Sequence, residues 1–166
     1  MAHWYFEDIE LGASRKAGPY LVSKNEIVQF AKQYDPVPRH IDEDAAAGSV
    51  FGGLSASSAH TFSIFILLTT KLLHRFHVLA GMGWDELRLP NPVRPEDELD
   101  LETTVWRSAS RDRNPTGELF ATKSTCAIKD ARRCCNVSAM FSLRGDRMRK
   151  QRGEPFDRCP RPVSLR

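Results

Sequence analysis

The sequence predicts an α+β domain in which an antiparallel sheet wraps around one long α-helix. Between about residues 57 and 76, apolar side chains cover most of the circumference of a helical segment, which predicts burial on nearly all sides. After Gly81 the pattern changes to four β-rich runs separated by turn residues. Strands that follow one buried helix are expected to pack against it as a sheet.

The elements before the long helix are predicted from caps and prolines. A first helix is expected over 23–34, with Ser23 as its N-cap and Glu26 as the capping-box partner. Pro36 disfavours helical geometry in the preceding residue, so Asp35 is expected at the helix end, leading into an extended segment over 36–40. Asp42 is expected to cap a short helical turn.

The later elements are predicted from turn residues and β-rich composition. A turn is expected over 49–53, where two adjacent glycines occur. The four strands are expected over 84–89, 98–108, 119–129 and 134–143.

Length and charge favour one domain with a short tail. A chain of 166 residues suits a single core, and we expect one domain over 1–145 and a basic, proline-containing tail over 146–166. Residues 144–166 carry eight Lys or Arg against three acidic residues. No nucleic-acid-reading motif accompanies this charge, so we expect a solvated terminus and not a nucleic-acid-binding protein.

Apolar runs and cysteines indicate a cytoplasmic protein. The longest dense apolar run, 62–68, is too short to cross a bilayer, and the first residues lack the features of a secretory signal. The cysteines show no CxxC spacing, which argues against a zinc site and favours reduced thiols; they are Cys126, Cys134, Cys135 and Cys159.

Two stretches of sequence resemble a known family. Residues 34–42 read YDPVPRHID, and 49–54 read SVFGGL before the long helix; DELR and PVRPEDEL follow it. This order is similar to that of the MaoC-like dehydratases, which are hot-dog-fold relatives of the (R)-specific enoyl-CoA hydratases, over about residues 6–144. In that family an Asp and a His five residues apart, with a proline between them, form the catalytic pair. Asp35 and His40 match that spacing, and Pro38 matches the proline.

The resemblance implies a hot-dog fold and a hydro-lyase that acts reversibly on an acyl thioester, carried by CoA or an acyl carrier protein. It implies that the backbone N–H of Ser58 lies in an oxyanion hole. Relatives pair two sheets edge to edge, so a homodimer or higher homo-oligomer is expected. Water addition needs no electron sink, so we expect neither a metal nor an organic cofactor. The residues expected to bind substrate are Phe51, Gly52, Gly53 and His60.

These residue types suit the chemistry of water addition to an unsaturated thioester. A carboxylate at Asp35 can hold and deprotonate water, and an imidazole at His40 can orient that water and relay protons. The unpaired N–H groups at the start of the long helix can stabilise an oxygen that becomes negative.

Other interpretations stay open from the sequence. Asp35 is also explained as a turn residue before proline, Asp42 as a cap, and His60 as a buried structural histidine. A hot-dog thioesterase would direct the same water at the carbonyl carbon. The hydratase signature usually has Asn where this chain has Val37, and its loss supports a third alternative, a non-catalytic acyl-thioester-binding protein.

Overall fold

The computed structural model describes residues 4–109, 118–128 and 133–143. The helices are α1 (Lys24–Tyr34), α2 (Glu43–Ala47) and α3 (Ser58–Leu73), with short 3-10 helices at Phe6–Asp8 and Pro38–His40. The strands are β1 (Ser14–Leu21), β2 (Val78–Arg88), β3 (Glu98–Ala109), β4 (Glu118–Ile128) and β5 (Arg133–Leu143). The predicted tail and Cys159 lie outside the described residues.

The strands form one antiparallel sheet in the order β1-β3-β4-β5-β2. Helix α3 lies against this sheet, as predicted, and Phe65 and Leu68 on its inner side are fully buried. They share one apolar core with Val22, Leu99 and Leu101. The sheet and α3 therefore confirm the α+β prediction, and β1 and β2 form the two edges.

Strand β1 was not predicted, so the sheet has five strands and not four. Its sequence is SRKAGPYL, and the register against β3 shifts between Ala17 and Tyr20, around Gly18 and Pro19. Proline has no N–H to donate, which confines it to edge strands or bulges. Gly18 and Pro19 have low strand propensity, so the sequence does not indicate a strand here. The pair is tolerated because β1 lies at the edge of the sheet.

Strand β2 begins at Val78, six residues before the predicted start at residue 84. Gly81 and Gly83 made this stretch resemble a loop, but both residues pair with β5. Pairing with a long neighbouring strand overrides the weak strand propensity of glycine.

Helix α3 runs from Ser58 to Leu73, within the predicted 57–76, but it is not buried on nearly all sides. Ile66 and Leu67 are 38% and 42% exposed. The sheet covers one face of the helix and leaves these two side chains uncovered in a single chain.

Four hydroxyl side chains on α3 donate hydrogen bonds to carbonyls of their own helix, each four residues earlier. Their donor–acceptor distances lie between 2.8 and 3.2 Å. Such bonds satisfy a hydroxyl without a partner from another element. The residues are Thr61, Ser63, Thr69 and Thr70.

Two of the four cysteines have described side chains. Cys126 and Cys135 are buried thiols that pair in register across β4 and β5.

Candidate active site

Asp35 lies at the C-terminal end of α1, as the sequence predicts. The Ser23 hydroxyl accepts a hydrogen bond from the Glu26 N–H at 3.2 Å and begins the helix. Asp35 ends it with φ −151° and ψ 70°, directly before Pro36. The Asp35 side chain is half-buried, so its carboxylate lies at the boundary between protein and solvent.

The segment between Asp35 and His40 is not fully extended, which corrects the expectation for 36–40. The Val37 N–H donates to the Asp35 carbonyl at 2.7 Å, and the His40 N–H donates to the Val37 carbonyl at 2.9 Å. The last three residues form the 3-10 helix Pro38–His40. Proline is well suited to the first position of such a turn because its φ is already fixed there. The segment therefore folds back, so His40 is not carried away from α1.

The His40 side chain is buried and tied to the segment that precedes α3. Its Nδ1 lies 2.7 Å from the carbonyl oxygen of Ser55, and His40 is only 4% exposed. A carbonyl oxygen only accepts, so Nδ1 carries the hydrogen of this bond. Nε2 is then the ring nitrogen that can exchange a proton with a ligand or water.

The first turn of α3 begins three residues after Ser55. The Ser57 hydroxyl accepts from the His60 N–H at 3.2 Å, and the Ser57 carbonyl accepts from the Thr61 N–H at 3.0 Å. Within the described chain, the N–H groups of Ser58 and Ala59 have no such partner. Ser58 is also exposed. These two N–H groups are the donors that a helix N-terminus offers to an oxygen atom.

The predicted glycine turn precedes this helix. The Arg94 guanidinium donates to the carbonyl of Phe51, and Phe51 is exposed. Gly52 and Gly53 have φ values of +64° and +157°. A Cβ at Gly53 would lie 3.1 Å from Arg94 Nη1. The backbone conformation favours glycine at residue 53, and a Cβ there would also require the Arg94 side chain to shift.

The His60 side chain is buried, and it contacts Glu26, which the sequence predicts to bond to Ser23. Its Nε2 lies 3.0 Å from Glu26 Oε1, which also accepts from the Tyr20 hydroxyl at 2.6 Å. Burial and this hydrogen bond raise the pKa of Tyr20 to about 12. Glu26 was predicted to bond back to Ser23 in a capping box. Only the Ser23 half of that box forms, because the Glu26 carboxylate is used by Tyr20 and His60.

A cavity of about 590 Å³ lies between α1 and α3. Its walls include Glu26, Phe30, His60 and Leu67, but among the described residues that line it neither Asp35 nor His40 is found. The structure thus brings His40 to the start of α3 through Ser55. Asp35 stays at the end of α1, five residues before His40 in the chain.

The described residues form neither a metal cluster nor a membrane-spanning helix. Among them, no three His, Cys, Asp or Glu side chains are close enough together to hold a metal ion. In the same part of the chain, no helix combines the length and apolar character that a membrane span requires. Asp42 caps α2, as predicted, by accepting from the Ala45 N–H at 2.8 Å.

The chain is similar to known proteins in sequence and in structure. "Uncharacterized protein YdeM" of Bacillus subtilis is 30% identical over 127 residues, which cover 76% of this chain and 89% of that protein. The crystal structure of a MaoC-like dehydratase from Rhodospirillum rubrum is 32% identical, with a TM-score of 0.76, and the match covers 85% of this chain and 97% of that one. The (R)-hydratase PhaJ1 from Pseudomonas aeruginosa, 17% identical, has the same fold, with a TM-score of 0.71 over 97% of this chain and 96% of that one.

These likenesses confirm the predicted hot-dog fold. Residues 8–125 match the family described as the MaoC like domain, and this span holds Asp35, His40, the glycine turn and the first turn of α3. The chain belongs to the MaoC-like dehydratase family.

Proposed function

We propose that the protein is a hydro-lyase that reversibly adds water to an enoyl thioester to give a 3-hydroxyacyl thioester. The observation that carries this proposal is the 2.7 Å contact between His40 Nδ1 and the Ser55 carbonyl. It ties the predicted catalytic imidazole to Ser55, which precedes Ser58 by three residues, and Ser58 begins the helix whose N-terminus offers N–H donors. This link supports placing acid–base and oxyanion-stabilising groups at one site, as the reaction requires.

The proposed roles follow from the chemistry of each group. Asp35 and the Nε2 atom of His40 hold the water, whose oxygen forms a bond to Cβ of the substrate. The water gives one proton to Asp35, the Cα=Cβ π bond opens, and His40 Nε2 delivers a proton to Cα, so the elements of one water molecule are added and no electron is lost or gained. The thioester oxygen becomes negative in this step, and the Ser58 N–H stabilises it. In this proposal the chemistry needs neither a metal nor an organic cofactor.

Substrate contacts are proposed at the glycine turn and at His60. Phe51 is exposed beside Gly52 and Gly53, and the bond from Arg94 to its carbonyl fixes the turn. A rigid turn before α3 supports a binding role for the three residues. His60 lies two residues after Ser58 in α3 and lines the cavity between α1 and α3, and its closeness to Ser58 in the chain supports a place near the substrate.

We also propose that the protein is a homodimer joined through β2. Four large apolar side chains on this edge strand are at least 38% exposed, and we call them the β2 surface. An apolar edge strand is a ready partner for a second copy, and a two-fold axis would pair the β2 surface with itself. The β2 surface consists of Leu79, Met82, Trp84 and Leu87.

A panel of enoyl-CoA thioesters of different chain length and branching tests the proposed reaction. Hydration removes the ultraviolet absorbance of the conjugated enoyl thioester and releases no free thiol. We expect loss of that absorbance without thiol release for at least one substrate. Thiol release would instead identify a thioesterase. A thermal shift with acyl-CoA but no turnover across the panel would identify a non-catalytic binding protein.

A further inference from the structure

Three elements meet at the carboxylate of Glu26. Tyr20 on β1 donates to Glu26 Oε1 at 2.6 Å, and His60 Nε2 on α3 lies 3.0 Å from the same oxygen. The His60 side chain is 3% exposed and the Glu26 side chain 32% exposed, so the contact is shielded from water on the His60 side. Hydrogen bonds to an ionised group in such surroundings are stronger than exposed ones.

Helix α1 holds the His60 ring in a second way. Phe30 lies one helical turn after Glu26, and its ring stacks on His60 with centroids 4.6 Å apart and an interplanar angle of 13°. Residues four apart share one face of a helix. The carboxylate therefore fixes the edge of the imidazole while the phenyl ring fixes its face. Among described residues, the buried Nδ1 atom of His60 has no hydrogen-bond partner, so Nε2 provides the ring's polar attachment.

The position of this network relates it to the proposed reaction. His60 is the third residue of α3 and follows Ser58 by two residues. Glu26 lies in the first turn of α1, and Asp35 ends that same helix. A rigid connection between Glu26 and His60 therefore fixes the helix that carries the proposed base against the turn that carries the proposed oxyanion donor.

We propose that Glu26 is a positioning residue: by accepting hydrogen bonds from Tyr20 and His60 it holds the first turn of α3, and with it the Ser58 N–H, in register with Asp35. This inference rests on the proposed function. Misplacing catalytic groups by about 1 Å can lower the rate a hundredfold. Glu26 is thus expected to act on turnover through geometry, and not as a proton donor or acceptor.

The choice of substitution separates positioning from proton transfer. Both donors bond to Oε1, and a glutamine side chain offers an oxygen in the same position. Glu26→Gln therefore keeps both hydrogen bonds but removes the group that could exchange a proton. Glu26→Met has a similar length and loses both bonds. Glu43→Met is the matched control, because Glu43 pairs with Lys24 of α1 at the exposed surface.

The first measurement compares steady-state kinetics of these full-length variants on the hydrated substrate. Glu26→Met is expected to lower kcat by about tenfold or more with KM within about threefold, the pattern of an interaction needed only in the transition state. Glu26→Gln and Glu43→Met are expected to stay within about threefold of the wild type. Equal losses in Glu26→Gln and Glu26→Met would overturn the proposal, because the carboxylate itself would then be needed. Unchanged kcat in Glu26→Met would overturn it as well.

Hydrogen–deuterium exchange gives a readout that needs no substrate. The amides of His60 and Thr61 are expected to exchange faster in Glu26→Met than in the wild type, while those of the second half of α3 do not change. Unchanged exchange at His60 and Thr61 would overturn the positioning role whether or not the wild type hydrates a thioester. A wild type without turnover but with this exchange difference would refute the proposed function alone.

Tyr20→Phe keeps the test decisive if Glu26→Met does not fold. It removes the outer hydrogen bond and leaves the Glu26–His60 contact, so a smaller rise in exchange at His60 and Thr61 is expected. No rise in this variant, with Glu26→Met unfolded, would overturn the network as the link between α1 and α3.

Discussion

The helices and the edge strand β2 differ in how far the contacts within one chain pair their polar groups and cover their apolar side chains. Residues 23–73, which we call the helical layer, contain internal partners for the helix starts and for His40: the Ser23, Asp42 and Ser57 side chains cap the three helices, and His40 bonds to Ser55. By contrast, β2 is exposed at every residue after Val78 and carries the β2 surface. The helix caps are therefore satisfied within one chain, although Ile66 and Leu67 of α3 stay uncovered, whereas the β2 surface gathers four exposed apolar side chains on one edge strand.

This contrast separates two kinds of variant. Substitutions in the helical layer are expected to change turnover or stability while the molecular mass in solution stays the same. Substitutions in the β2 surface are expected to change the mass first. A single variant that changes both turnover and molecular mass would show that the two regions are coupled.

The largest expected effect belongs to the helical layer. Asp35→Asn keeps the shape of the side chain but removes the proton acceptor, so kcat is expected to fall by about 10² or more with little change in KM. His40→Ala is expected to do the same. The double variant should be scarcely worse than either single one, because residues that act as a unit are strongly non-additive. Steady-state kinetics on a substrate that the wild type hydrates provides the measurement.

Asp42→Asn is the matched control for Asp35→Asn. Asn caps a helix about as well as Asp, so kcat should fall by no more than about threefold. Near-normal turnover in both Asp35→Asn and His40→Ala would place the chemistry elsewhere.

The β2 surface gives the next largest effect. In a two-fold dimer Met82→Glu introduces a charge from each copy into one apolar interface, and the dimer is expected to dissociate about tenfold more readily, or about 1.4 kcal/mol. Light scattering over a dilution series measures the shift. Leu21→Glu is the control, because Leu21 is an exposed apolar residue on the opposite edge strand. A monomeric wild type at micromolar concentration, or the same shift in both variants, would contradict pairing through β2.

A smaller effect is expected from the turn before α3. Gly53→Ala places a side chain where φ is +157° and Arg94 Nη1 is 3.1 Å away, so the free energy of unfolding should fall by about 1 kcal/mol or more. Gly48→Ala is the matched control, since a Cβ there meets no atom closer than 3.9 Å. Chemical denaturation measures both. Equal stability of the two variants would show that the turn adapts.

The smallest effect concerns alkaline stability. The folded protein holds the pKa of Tyr20 at about 12, above the value near 10 of an unfolded chain. Between these values the folded state keeps a proton that the unfolded state has lost, so unfolding becomes easier as pH rises. The stabilisation is complete below pH 10 and is lost towards pH 12. The difference in unfolding free energy between wild type and Tyr20→Phe should therefore shrink over this range; a constant difference would contradict the shift.

Local signals predicted much of the helical layer. Ser23 and Pro36 delimit α1 to within a residue, and Asp42 caps α2 as expected, because caps and prolines act through neighbouring backbone atoms. The use of Glu26 was not predictable in this way. Its partner His60 is 34 residues away, and only the packing of α1 on α3 brings the two together.

Dependence on residues far apart in the chain also limits what the sequence predicts about the sheet and the site. Four strands were found from their composition, whereas β1 was missed because its position at an edge, which permits Pro19, is a property of the whole sheet. Asp35 and His40 were singled out by spacing and resemblance. Their connection to α3 depends on the contact between His40 and Ser55, 15 residues apart, for which the sequence offers no local signal.

The hydroxyls of α3 have a consequence for how this helix can change during evolution. Thr61 and Thr69 are buried, yet each bonds to its own backbone, so neither requires a polar group from a neighbour. Apolar residues of different shape can therefore pack against these two hydroxyls without leaving them unsatisfied. Substitutions among apolar neighbours of Thr61 and Thr69 would keep the hydrogen bonds of the helix intact.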